Sequence, residues 1–191
     1  MIQLARTMLA AGLLLTAMPA AAQMPDPAPR LAAQREAMAR LAFMDGTWRG
    51  RASSLTPQGP HALTQTERVG GFLGGTVRIV EGRGYEADGR VSFNAVGIIS
   101  YDPDTQRYSF SAWAQGRNGV YPFQVTETGF AWETPAGPNA VIRYTATVRD
   151  GIWHEVGDLV AQGRPPQRVI ELYLRRVGDT DWPAGGAVPQ R

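Results

Sequence analysis

The chain has 191 residues, with 19 basic and 17 acidic side chains and no cysteine. The length suits one domain with a sizeable core. The missing cysteines exclude disulfides, a thiol nucleophile, thiolate metal sites and a lipidated cysteine. Every basic residue is arginine, so lysine Schiff-base chemistry is also excluded, and the mixed charges, with no basic run, give no footprint for nucleic acid or an anionic membrane.

Residues 1–22 read as a signal peptide. Arg6 supplies a positive start, "TMLAAGLLLTAM" is a short apolar stretch, and Ala20 and Ala22 are the small residues a signal peptidase accepts. The apolar part falls short of the roughly 20 residues that span a bilayer. The mature chain is therefore expected to begin at Gln23, in the periplasm or outside the cell, with no transmembrane segment once the signal is removed.

Residues 23–30 form a proline-rich lead, expected to be extended and mobile. Residues 31–45 then have high helix propensity, with Leu31, Met38, Leu41 and Ala42 able to share a face, and Asp45-Gly46 as the stop. From Thr47 the period becomes two. Turn signals at Gly70-Gly71, Gly74-Gly75, Asp88-Gly89, "DPDT" (102–105), Asn118-Gly119, Thr128-Gly129, "PAGP" (135–138), Asp150-Gly151 and "QGRPP" (162–166) divide the remainder. They leave ten strand segments, near 47–55, 62–70, 74–84, 90–101, 106–116, 119–127, 129–134, 139–149, 151–162 and 167–177. Parallel strands need crossovers of about a dozen residues, for which there is no room. The expectation is an all-β, ten-stranded antiparallel up-and-down barrel over residues 46–178, preceded by a short N-terminal helix and followed by a tail at 179–191.

Alternation assigns faces. Val91, Phe93, Ala95, Gly97, Ile99 and Tyr101 share one side, as do Tyr108, Phe110, Ala112 and Ala114, and Ile170, Leu172 and Leu174. Small residues on these faces (Ala95, Gly97, Ala112, Ala114, Ala146, Gly157) suggest an interior with room in it; the opposing possibility is that they accommodate neighbouring aromatics. Two strands carry polar groups on whichever face points inward. In "GIWHEVGDLV" the choice is His154 or Glu155, and in "AVIRYTATV" it is Arg143 or Tyr144. With Tyr101, these five are the candidate ligand-binding residues, polar groups in a mostly apolar lining.

"GTW" (46–48), at the first strand directly after a helix, resembles the calycins: lipocalins, fatty-acid-binding proteins and nitrobindin-like barrels. In lipocalins a Gly-x-Trp at this point is covered by an arginine from the last strand, closing one barrel end. The resemblance implies the same closure here from Trp48 with Arg175 or Arg176. "GTWRG" (46–50), the Gly-Gly before the third strand and "GIISYDPDTQRY" (97–108) are also similar to an uncharacterised bacterial exported family of that shape. Nitrobindin-like barrels hold haem through a histidine near the C-terminal strands, which implies His154 as the iron ligand if haem binds here.

Catalytic signatures are weak. Two separated histidines do not make a zinc site, no Gly-x-Ser-x-Gly elbow is present, and "VGGFLGG" (69–75) lacks the ending of a phosphate loop. The reading is therefore a binder rather than an enzyme, with no catalytic residues, no metal and no cofactor assigned: an exported protein holding a small, largely apolar ligand. Two alternatives stay open, a haem protein using His154 and a filled barrel that docks on an envelope protein partner.

Overall fold

The structure, a computed structural model, describes residues 26–182. The signal peptide, the start of the proline-rich lead and the tail beyond Trp182 lie outside the described residues. Helix α1 (Ala28–Ala39) begins earlier than the sequence suggests, inside the proline-rich lead. A proline in the first turn gives up an N–H that would have no helical partner anyway, and its φ already suits a helix. The Asp26 carboxylate accepts from the Ala28 N–H at 3.0 Å. The helix also ends earlier than Asp45. The chain tightens into a 3-10 turn over Ala42–Met44, which carries Leu41 and Met44, both fully buried, into the end of the barrel.

Ten strands follow: β1 (Gly46–Thr56), β2 (Gly59–Phe72), β3 (Val77–Tyr85), β4 (Val91–Asp102), β5 (Arg107–Ala114), β6 (Arg117–Val125), β7 (Gly129–Pro135), β8 (Ala140–Arg149), β9 (Ile152–Ala161) and β10 (Gln167–Gly178). Each pairs antiparallel with its sequence neighbour, and β1 pairs with β10, so the barrel is closed; the β6–β7 pairing is the shortest, joining Phe123–Val125 to Phe130–Trp132 alone. The Asp150-Gly151 turn forms as expected, both residues taking positive φ (53° and 71°). The Asn118-Gly119 signal does not mark a turn. The chain reverses at Gln115-Gly116 (φ 51° and 75°), and Gly119 lies inside β6 opposite Ala112.

The ladder registers put Phe93, Ala95, Gly97, Ile99 and Tyr101 on the inner face, in register with Ala114, Ala112, Phe110 and Tyr108 of β5. The helix closes one end. Tyr108 Oη donates to the Ala37 carbonyl at 2.9 Å, and Gln34 Nε2 to the Tyr101 carbonyl at 3.2 Å. Arg78 donates from Nη1 to the Met38 carbonyl at 2.6 Å and grips both oxygens of Asp45, at 2.6 and 2.7 Å. Beneath this cap lies the buried core: Met38, Leu41, Met44, Trp48, Val69, Ile99, Phe123, Phe130, Val148, Trp153 and Leu174. Toward the opposite end, inward-facing Leu63, Phe93, Tyr121, Trp132, Tyr144, Leu159, Ile170 and Leu172 are only half-buried. The barrel is thus plugged at the helix end, and its inner wall is less completely buried toward the other.

The small inner residues do not leave the interior vacant in the simple way their size suggests. A Cβ on Gly97 would sit 2.1 Å from the Phe110 ring, and one on Gly119 would sit 2.3 Å from the Tyr121 hydroxyl. Gly157 is enclosed by Ile142, Tyr144 and Ile170. These glycines make room for the aromatic side chains of their neighbours.

Candidate functional site

Where the buried core gives way to the half-buried zone, the inner wall turns polar. β9 runs with Trp153, Glu155, Gly157 and Leu159 facing in, because Glu155 is in register with Ala146 on one side and Leu172 on the other. Glu155 is buried, with both carboxyl oxygens held: Trp132 Nε1 donates to Oε1 and Trp153 Nε1 to Oε2, each at 3.1 Å. Burial pushes its pKa up, against the pull of the two indole donors. Tyr144 stacks on Trp132 (ring centroids 4.1 Å apart, planes at 10°). Burial, with Glu155 nearby, raises the Tyr144 pKa.

A second acid shares this layer. Glu67 on β2 lies directly opposite Trp48 in the β1–β2 hairpin, and Gln65 opposite Gly50. Gln65 Nε2 donates to Glu67 Oε1 at 2.6 Å, and both side chains are buried. Desolvation pushes the Glu67 pKa up to about 8; the Gln65 hydrogen bond opposes this, and the charges of Glu155 and Glu81 add to it. The carboxyl rests over Gly82, where an added Cβ would lie 2.8 Å from each oxygen. Near neutral pH Glu67 therefore keeps its proton and can act as a hydrogen-bond donor or weak acid.

Of the five polar residues singled out from sequence, the fold brings together Tyr144 and Glu155. Tyr101 faces inward but lies under the helix, packed against Tyr108 with centroids 4.9 Å apart. Arg143 and His154 point outward, a correction to their reading as lining residues. Strand β8 turns Tyr144 in and so Arg143 out, where it pairs with Glu133 at 2.6 Å. By the same alternation His154 is on the outer wall, 2.8 Å from Glu171 Oε1 and beside Tyr173. His154 does not fit as a ligand to haem in the interior, because its imidazole faces away from it.

At the barrel end, Trp48 is buried and donates from Nε1 to the Met44 carbonyl at 2.9 Å, with its ring edge-on to Trp153. Arg176 is the residue opposite Trp48 in the β1–β10 register, while Arg175 pairs with Arg49 on the outside. The Arg176 guanidinium reaches the Asp45 carbonyl at 3.3 Å and Asp179 at 2.6 Å.

Gln65, Glu67, Trp132 and Trp153 are site residues the sequence reading did not single out. A usable signal existed for Glu67. With Thr56 and Gly59 closing a two-residue loop, hairpin counting puts residue 67 opposite residue 48.

The architecture defines a closed ten-stranded antiparallel barrel, consistent with a calycin-like protein. No protein-family model and no curated protein matches the chain. Among solved structures it is similar to Rv2717c from M. tuberculosis, with a TM-score of 0.55 and 15% sequence identity over 73% of this chain and 96% of that one. At that identity the likeness speaks to the fold alone.

Proposed function

We propose that this is an exported binding protein, periplasmic or secreted, that holds a small, largely apolar molecule in the half of its barrel away from the helix. The observation that carries the reading is the change in burial along the inner wall. Aromatic and aliphatic side chains facing inward at the end away from the helix are only partly buried, and beneath them lies a buried layer of Glu67, Gln65 and Glu155. Apolar contact with Leu63, Phe93, Tyr121, Trp132, Leu159 and Ile170 supplies affinity, and the few polar groups below supply orientation.

The test is a fluorescence titration of the mature chain with the neutral apolar probe N-phenyl-1-naphthylamine. Saturable binding of one probe per chain is expected. Ile170→Trp, which places a bulkier ring on the inner wall, should weaken it about ten-fold, the effect of losing roughly 1.4 kcal/mol. Absence of saturable binding by a folded chain would overturn the reading. That result would favour the alternative of a filled barrel acting as an envelope interaction module, which gains support from the aromatic cover over Gly97 and Gly119. Export is tested separately, by the intact mass of the chain recovered from a bacterial periplasm: loss of residues 1–22 is expected, and a full-length cytoplasmic product would refute it.

A further inference from the structure

We infer that the molecule bound in the interior carries a cationic amine, seated against Glu67 and Glu155; this rests on the small-molecule reading above and gives that ligand its chemical class. Among the described residues, the inner wall carries arginine only near its ends. Arg78 and Arg176 at the helix end are engaged by Asp45, and Arg117 stands at the opposite rim. Between them, both charged side chains are acids.

The surroundings of these acids are one-sided. Trp132, Trp153 and Gln65 all present N–H donors to them. Donors favour the carboxylate form, yet none brings a positive charge, so ionising both buried acids without a cation would be costly. Glu67 is also incompletely bonded. The residue is only 9% exposed, and Gln65 is its single hydrogen-bonding partner among the described residues. Its second oxygen, which rests over Gly82, has no hydrogen-bond partner among the described residues. The glycine at position 82 hollows the wall behind this carboxyl, since any side chain there would strike both oxygens.

An ammonium group matches what is missing. It has three N–H donors and no acceptor. The acceptors left over are the second oxygen of Glu67, the amide oxygen of Gln65 and the remaining lone pairs of Glu155. The indoles of Trp132, stacked with Tyr144, and of Trp153 border the same layer. A hard metal ion suits the layer less well. Such ions want six or more oxygens, and among the described residues no group of three metal-ligating side chains is present. On binding, the Glu67 O–H gives its proton to the buffer as the ammonium takes its place. No bond in the ligand breaks.

The experiment compares octylammonium, octanol and octanoate as displacers of N-phenyl-1-naphthylamine from the mature chain at pH 7. Octylammonium is expected to displace the probe at about ten-fold lower concentration than octanol, the scale of one charge-assisted hydrogen bond. Calorimetry in buffers of different ionisation enthalpy should show proton release. The preference should vanish in E67Q/E155Q and shrink in each single variant, the singles keeping the test decisive if the double variant fails to fold. Probe binding with octanol or octanoate displacing as well as the amine overturns this inference and leaves the small-molecule reading standing. An unaltered amine preference in both single variants also overturns it. A folded chain that binds no probe overturns the small-molecule reading, and this inference with it.

Discussion

Trp132 and Glu155 meet across the inner wall, the indole Nε1 of β7 donating to a carboxyl oxygen of β9 at 3.1 Å. Together with Trp153 this leaves neither oxygen of a buried acid without a donor. Trp132→Phe keeps an aromatic ring to stack on Tyr144 but removes the N–H. The expected loss of stability is about 1–3 kcal/mol, the cost of leaving a buried acceptor unmade. Urea unfolding measures it. A double-mutant cycle with Trp153→Phe should be non-additive, because both indoles serve one carboxyl; strict additivity would mean that the two bonds act independently.

Glu67 sets a pH dependence whose sign is fixed by its burial. Its folded pKa, about 8, lies above the ordinary 4.5. Between those values the folded chain holds a proton that the unfolded chain has released, so stability falls as pH rises. Glu155, raised by burial, acts in the same direction. The like charges of Glu155 and Glu81 steepen the effect, and Gln65 softens it. Unfolding midpoints should therefore drop from pH 5.5 to pH 8. Glu67→Gln should flatten that slope and gain relative to wild type at pH 8. A wild-type midpoint that rises over this interval would contradict the assignment.

The strands were legible because turn chemistry punctuates the chain about every ten residues, and the alternation of "RVSFNAV" and "RYSFSAW" fixed which residues share a face. Period two defines two sets of side chains but does not say which set points inward. That is why His154 and Glu155 stood as equals until Leu172 and Ala146, apolar and inward on the adjacent strands, fixed the register of β9. Glu67 is legible only from the hairpin count. "LTQTERV" is polar on both faces, so hydrophobic alternation carries no signal there. Gln115-Gly116 carries little turn signal because a glutamine at positive φ is uncommon, whereas Asn118-Gly119 has the composition of a turn but lies within a strand.

The helix cap is fastened in part by an ion pair whose guanidinium is buried. The Arg78 side chain is 6% exposed and makes both of its carboxylate contacts to Asp45. Asp45→Ala leaves a buried guanidinium without its counter-charge, which costs about 3–5 kcal/mol. The loss should appear first as release of α1, since Arg78 also holds the Met38 carbonyl. Limited proteolysis is expected to cut within residues 28–44 before the barrel is degraded. Simultaneous loss of helix and barrel would show that the cap is not a separable unit.

Closure itself places a demand on Gly50. This residue sits in β1 opposite Leu174 of β10, and a Cβ there would lie 2.1 Å from the Tyr173 carbonyl oxygen and 2.8 Å from the Leu174 Cα. Both are backbone atoms of a paired strand, so no rotamer change relieves the contact. Gly97 differs, because the obstacle to a Cβ there is the Phe110 ring, which can turn. Gly50→Ala must therefore spread the seam that joins the first and last strands, the contact of greatest sequence separation in the barrel. We expect a loss of about 3 kcal/mol, at the upper end of overpacking effects, with Gly97→Ala costing less. Amide exchange should quicken first in Trp48–Ala52 and Leu172–Arg176. Uniform exchange around the barrel in Gly50→Ala would mean that the seam is not where the cylinder opens.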